Sequence, residues 1–379
     1  MDEIKEKVKV HYQLQRAFDR LREKYGDTPD ETILTRFYNE ERYFFRNEKR
    51  VQNLDLLLAL KERVAELKES IYPFGVVRAS LIAYLFGVID ENPLPLHYYC
   101  PKCKKVEYIN EKLLPWDISP KPCDCGGEMQ ADGFDIPFES YKYVIGVPHV
   151  CTSKKFENEA KNIADGLFKI YPTDNLDILR SLKEQTVAPT DEQIFAELNT
   201  EDMAGVLHLS FGIPASFTRD FMKKTDPKNY YDLIKLFGFA NGKGVWYDNA
   251  EKLITDGVCK LSEIPVHHED VLIQVKNKMT ENDHEAKMFP HHVAFNVHYG
   301  RYATEGMSEE DETKLHELGF DEWFLDYIKK VTFMYSKTHS IVYFKQACEL
   351  IWYKINYPDI FNKVVKGEDN EKNRNLEES

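Results

Sequence analysis

Apolar residues recur at near-helical spacing from the start of the chain. Ile4, Val8, Leu14, Phe18 and Leu21 line one face, and Gly26 supplies a stop. Thr28-Pro29-Asp30-Glu31 reads as a capping box with proline at the first helical position, so a second helix is expected to begin there. Leu54, Leu57, Leu58, Val64 and Leu67 form the stripe of a third, and all three stripes read as bundle core. Residues 76–88 are apolar nearly all round, which predicts a buried helix or strand. Periodicity then lapses over 92–140, a proline-rich stretch suited to a ribbon with loops. From Ser153 onwards helical patterns return. Phe156, Ala160, Ile163, Leu167 and Ile170 predict one helix opened by Ser153, and Thr190-Asp191-Glu192-Gln193 caps another. Further helices are expected over 230–239, 247–255, 271–279, 308–318, 323–334 and 337–357, with Asn241-Gly242-Lys243-Gly244 as a loop between two of them. The tail 366–379 is polar and charged, a composition that predicts disorder.

Length and composition narrow the classes. A chain of 379 residues with 42% hydrophobic and 13% aromatic content can bury the cores of two or three domains. Its net charge of −14 disfavours tight, sequence-independent nucleic-acid binding, for which only a local basic cluster could serve. The charged start MDEIKEKVKV is no signal peptide, and the longest apolar run, 81–89, is too short to span a bilayer. Seven cysteines, an odd number, point to a reducing compartment and to metal or buried thiols rather than disulfides. The expectation is a cytoplasmic protein without membrane contact.

Four of those cysteines carry the clearest chemistry. Cys100-Pro101-Lys102-Cys103 and Cys123-Asp124-Cys125-Gly126-Gly127 have 19 residues between them, and two such turns can complete a tetrahedron of thiolates around one zinc ion. Four cysteine ligands leave no open position, so the role is structural. Cys259 and Cys348 stand alone and read as small buried residues. The histidine pairs His267-His268 and His291-His292 read as surface residues, since neighbours in sequence point apart. His149 and Cys151 pose a third site, a metal or nucleophile pair on one strand, with no evident partner.

The stretch NPLPLHYYCPKC…KPCDCGGEMQADGFDIPFES closely resembles the zinc-containing segment of PolC-type DNA polymerase III. Downstream, Phe211-Gly212-Ile213-Pro214 with Thr218-Arg219, Val245-Trp246 with Asn249-Ala250, and Leu261-Ser262-Glu263 resemble that family's fingers. So do Asp321-Glu322-Trp323-Phe324, Tyr335-Ser336-Lys337-Thr338-His339, and Tyr353-Lys354 with Tyr357-Pro358. The resemblance covers roughly 70–145 and 165–360, with the motifs in the family's order. It implies a mainly α fold with a small zinc-ribbon module and PolC-like fingers, the palm largely deleted. The expected organisation is a helical region with palm remnant over 1–90, a zinc ribbon over 91–140, a degenerate palm remnant over 141–185, helical fingers over 186–362 and a tail over 363–379.

Polymerisation needs two metal ions held by palm carboxylates. The resemblance places two of them in a Pro-Asp-Ile-Asp motif, where this chain reads Pro148-His149-Val150-Cys151. The third falls on Asp177 in one register and on Lys169 in another, and the second register is favoured. The family's Gly/Ser-rich phosphate-binding stretch matches Tyr72-Pro73-Phe74-Gly75-Val76-Val77-Arg78-Ala79-Ser80, where only Gly75 and Ser80 keep its small-residue character. A basic run in the fingers is replaced by His292-Val293-Ala294-Phe295-Asn296. Arg219, Lys337 and His339 survive as remnants of a nucleotide- or DNA-facing finger surface, near Lys345, or persist as packing and capping residues. The expected function is a catalytically inactive relative that binds a replication protein, a polymerase or, weakly, primer-template DNA. The alternative is a DNA polymerase completed by a second polypeptide.

Overall fold

The computed structural model describes residues 2–67, 71–139, 149–167, 169–173, 191–198, 207, 211–280 and 288–364. Two compact units divide the chain, Met1–Asp174 and Asn175–Ser379. Helices dominate both, and the sheets are small.

In the first unit, α1 (Asp2–Tyr25) ends at Gly26, whose φ of 82° suits glycine, as the pattern predicts. Helix α2 (Glu31–Phe45) starts later than expected. Asp30 caps it by accepting hydrogen bonds from the amides of Thr32 and Ile33, so the cap is not Thr28. Helix α3 (Glu48–Leu67) buries Leu54, Leu57, Leu58 and Val64. The apolar run after it is neither one helix nor one strand: a 3-10 turn at Val76–Ala79 leads into the short α4 (Leu81–Leu85). Strands β1 (Ile71–Pro73), β6 (His149–Ser153) and β7 (Lys169–Thr173) form a sheet in the order β1-β6-β7. Its inner face, with Ile71, Val150 and Ile170, joins the core built by the helices.

The stripe from Phe156 to Ile170 is cut short by this sheet. Helix α5 covers only Glu157–Ala164, ending where Asp165 adopts left-handed φ and Gly166 follows. Ile170 lies in β7 instead. The helix is the crossover that two parallel strands require, so β6, α5 and β7 form one βαβ unit. Ser153 assists its entry, its hydroxyl accepting from the Phe156 amide at 3.2 Å.

Strands β2 (His97–Tyr99), β3 (Val106–Tyr108), β4 (Lys121–Pro122) and β5 (Glu128–Asp132) form the expected ribbon, in the order β3-β2-β5-β4. One cation fixes it to the helices. Lys24 on α1 reaches Asp132 at 3.1 Å, donates to the Tyr84 hydroxyl, and lies 4.9 Å from the Tyr99 ring centroid.

In the second unit, the expected helices over 230–239, 271–279, 308–318 and 337–357 are present as Tyr230–Asn241, His268–Lys278, Glu309–Glu317 and Lys337–Asn356. Two others are shorter than the pattern implies. Tyr247 and Asp248 break the backbone, so the helix there is only Glu251–Thr255, and extended Val331 ends Glu322–Lys330. The helix Asp191–Leu198 follows Thr190, which lies outside the described residues together with the 366–379 tail. Helices Ala215–Thr225 and Phe289–His298 were not expected, although Pro290 in the first turn of the second is a legible start signal.

The histidine pair at 267–268 is inside, not on the surface. His267 is 1% exposed, with Nδ1 3.0 Å from Asp270 Oδ2 and Nε2 2.9 Å from Ser340 Oγ. Asp270 also accepts from the Val266 and His267 amides. Helix Tyr230–Asn241 passes so close that a Cβ on Gly238 would lie 2.7 Å from the His267 ring. Ser340 is fully buried, so this Ser-His-Asp arrangement meets no substrate and acts as a clamp between two helices. His292 is exposed, as expected of its pair, while Cys348 is only half-buried.

Burial works to raise the pKa of Asp270, but His267 beside it, with Lys337 and Lys235, holds it well below the usual carboxylate range. A depressed folded-state pKa adds stability above the ordinary carboxylate pKa, and that stability is lost as pH falls toward the folded value. Asp270→Asn is therefore expected to cost about 3 kcal/mol near neutral pH, by the usual cost of breaking a buried charged hydrogen-bond pair. Urea denaturation at several pH values checks this: the deficit should shrink on the acid side of the carboxylate range.

Candidate functional site

Three groups of residues concern chemistry. In the first, the β2–β3 hairpin presents Cys100 and Cys103 from one turn, closed by bonds from the Cys100 amide to Lys105 O and from the Lys104 amide to Cys100 O. The β4–β5 turn presents Cys123 and Cys125, closed by bonds between Cys123 and Gly127 and between Gly126 and Cys123. Gly127 is closely packed, since a Cβ there would sit 3.2 Å from Cys100 Sγ and 3.3 Å from Cys125 Sγ. The four sulfurs lie within 4.8 Å of one another, with Cys100–Cys125 and Cys103–Cys123 each at 3.6 Å.

Zinc–thiolate bonds of about 2.3 Å in a tetrahedron place sulfurs nearly 4 Å apart, so the donor set fits that ion. The Cys103 amide, then that of Lys102, points at Cys100 Sγ and lowers its pKa to about 6, which favours the thiolate a metal needs. A bound zinc would tie two turns whose own core is little more than Cys100, Cys123 and Met129.

In the second group, the structure brings together the positions that the resemblance assigns to palm carboxylates. Strands β6 and β7 pair in parallel with His149 directly across from Lys169 and Cys151 across from Tyr171. Side chains alternate along a strand, so His149, Cys151, Lys169 and Tyr171 share one sheet face, opposite the core. His149 stacks on Phe74 at 4.8 Å and meets the edge of Tyr171 at 5.6 Å. Burial, then Lys169, lowers the His149 pKa, leaving a neutral imidazole at pH 7. Burial pushes the Cys151 thiol up to about 11, so it is no nucleophile near neutral pH. Asp177, the other register, lies outside the described residues.

Next to this sheet, the end of the stretch matched to phosphate binding and the two amides just after it are engaged by one carboxylate. The Glu40 carboxylate accepts from the amides of Leu81 at 2.9 Å and Ile82 at 3.0 Å and from Ser80 Oγ at 2.7 Å. Arg36 pairs with Glu40 and donates to the carbonyls of Ala79 and Ile136. Periodicity could not have revealed Glu40 as the partner, because the contact spans 40 residues.

The third group is Arg219, Lys337 and His339. Arg219 is exposed on Ala215–Thr225. Lys337 is 3% exposed. It opens its helix, its amide donating to Glu269 Oε2 at 2.9 Å, with Nζ 5.9 Å from the Tyr231 ring. His339 is half-buried between Tyr335 and Tyr343. Lys337 is buried, whereas Arg219 and Lys345 are exposed.

Protein purified without added zinc is expected to carry about one equivalent, by the stoichiometry of a four-cysteine site. Cys100→Ser together with Cys123→Ser should lose the metal and lower the thermal midpoint. Unchanged zinc content and midpoint would contradict the assignment.

Comparison with known proteins places these features. Residues 172–281 match the bacterial DNA polymerase III alpha subunit finger domain. The DNA polymerase III PolC-type of Clostridium perfringens is 22% identical over 466 residues, covering 89% of this chain and 31% of that protein. Those of Caldanaerobacter subterraneus and Bacillus subtilis are 24% and 22% identical, covering 76% and 75% of this chain and 29% and 28% of theirs. The chain thus spans about three tenths of the length of the curated relatives it matches. The Clostridium alignment is longer than the 379 residues of the chain itself, so that relative has residues inside the matched stretch for which this chain has none. With the finger-domain match, the cysteine ribbon and alignment along most of its length, the chain is similar to PolC-type DNA polymerase III.

Proposed function

We propose that this chain is a replication-associated binding protein built from polymerase parts, which does not itself extend primers. The observation that carries the reading is the sheet register. His149 and Lys169 face each other where the resemblance expects metal-holding carboxylates, and Cys151 follows on the same face. An imidazole, an ammonium and a protonated thiol cannot hold two Mg²⁺ ions, which are bound through carboxylates and phosphate oxygens. Without the metal clamp, the step in which charge builds on the transferring phosphoryl group loses its main stabilisation.

Two further observations support the reading. The Glu40 carboxylate engages the hydroxyl of Ser80, the last residue of the stretch matched to phosphate binding, and the two amides just beyond it. Residues present in the Clostridium relative are missing from within the matched stretch, as a reduced palm requires. The net charge of −14 and the burial of Lys337 favour a protein partner, such as a replication protein or a polymerase, over tight duplex binding. The zinc ribbon and fingers would then serve as a rigid, folded docking body. Zinc there is structural, and cytoplasmic location follows from such a partner. Among the described residues no helix is long and apolar enough to cross a membrane.

The test is primer extension with Mg²⁺ or Mn²⁺ at high protein concentration, alongside Asp177→Ala. No extension by either protein is expected. Extension by the wild type that vanished in the variant would overturn the reading, and extension only after a second polypeptide was added would replace it with a split polymerase.

A further inference from the structure

We propose that Tyr99 and Tyr108 make the connection between α1 and α2, residues 22–33, respond to metal occupancy of the cysteine ribbon. The strand period separates two faces of the β2–β3 hairpin. Tyr99 pairs with Val106 and His97 with Tyr108, so these four side chains share one face. Tyr99 and Val106 pack against the helical core. Tyr98 lies on the other face and packs against the small core of Cys100, Cys123 and Met129. The hairpin therefore stands between the cysteine cluster and the helices.

Two hydroxyls on the helical face end at helix termini. The last carbonyls of a helix lack partners inside it, and Tyr99 Oη donates to one of them, the Lys24 carbonyl of α1. Tyr108 Oη donates to Asp30 Oδ2 at 2.8 Å. That carboxylate is the cap of α2, accepting from the amides of Thr32 at 2.8 Å and Ile33 at 3.1 Å. One hairpin thus braces the end of α1 and the start of α2.

The first cysteine turn also meets this connection directly. Lys104, next to Cys103, holds a left-handed φ of 65°, which a residue with a side chain adopts at a cost. Its amide donates to Cys100 O, and its Nζ lies 3.4 Å from Tyr99 Oη. A Cβ on Gly26, the stop of α1, would sit 3.6 Å from Lys104 Cβ. With so little core behind the turn, metal-bound sulfurs would be what keeps Lys104 and Tyr99 in this geometry. Lys24 makes a separate contact to Asp132 on β5, which keeps ribbon and helices attached when the hydroxyls are removed. The inference concerns ribbon and helices alone, and stands or falls apart from whether the chain extends primers.

The experiment is amide hydrogen exchange, read by mass spectrometry on the full chain, zinc-loaded and after chelator treatment. In the wild type, removing zinc should speed exchange over 22–33 about tenfold or more, as for the loss of two hydrogen bonds. Helix α3 should change far less. The variant carrying Tyr99→Phe and Tyr108→Phe should keep about one equivalent of zinc yet exchange fast over 22–33 with or without it. Should that pair lose zinc, Tyr108→Phe alone gives the same comparison. Tyr98→Phe, the same change on the opposite face, should leave 22–33 dependent on zinc. Equal exchange over 22–33 in loaded and stripped wild type overturns the proposal. So does a tyrosine variant that keeps the full zinc dependence, an α3 that loosens as much as 22–33, or a Tyr98→Phe that behaves like the pair. Purified protein without zinc overturns it together with the metal assignment.

Discussion

The parallel pairing of β6 with β7 is the constraint on which the first unit turns. It requires α5 as a crossover, which ends the helical stripe at Ala164 and returns Ile170 to the core as a strand residue. The same register sets which outward side chains meet. One residue of slip would turn Val150 and Ile170 outward and bury His149 and Lys169, at the cost of both apolar burial and an uncompensated buried charge. The inner face thus fixes the outer one. Whatever this face does, it does with an imidazole, a thiol and an ammonium held in place by a hydrophobic core on the other side.

The remaining parts are rigid supports held by different physics. The ribbon has almost no core and depends on its four sulfurs, with Lys24 and Asp132 tying it to the helices. The second unit is held by a large apolar core into which polar clamps are set. His267, Asp270 and Ser340 join two helices, and the buried Lys235 ammonium donates to the carbonyls of Leu261 and Ile264. Motif residues such as Lys337 and Asn249 are spent inside this framework: Asn249 donates to the carbonyls of Gly244 and Tyr327. Likeness to finger motifs in this chain therefore reports packing at least as much as ligand contact.

Much of this was legible in the sequence, for definite reasons. The helices with apolar stripes and terminal caps are local objects, and the cysteine spacing is a local signal, so both could be read from the residues. The small sheet was not, because β1, β6 and β7 are short and come together over large sequence separations. His267 looked like a surface residue because its partners, Asp270 and Ser340, lie on two different helices. Glu40 gave no sign at all, since its role depends on long-range neighbours. The Lys169 register was favoured from the sequence, and its pairing with His149 is a geometric fact that no local pattern contained.

The central claim is that this sheet face, at the positions the resemblance assigns to palm carboxylates, lacks the oxygen donors that a divalent cation needs. The most direct measurement is Mn²⁺ binding, by electron paramagnetic resonance, to zinc-loaded wild type and to a variant carrying His149→Asp, Cys151→Asp and Lys169→Asp. Three carboxylates on one sheet face are the oxygen-rich donor set that a hard divalent cation prefers. The account predicts no bound Mn²⁺ in the wild type and a gained site in the triple variant. A wild type that binds Mn²⁺ at this face, or a folded triple variant that binds none, would contradict it.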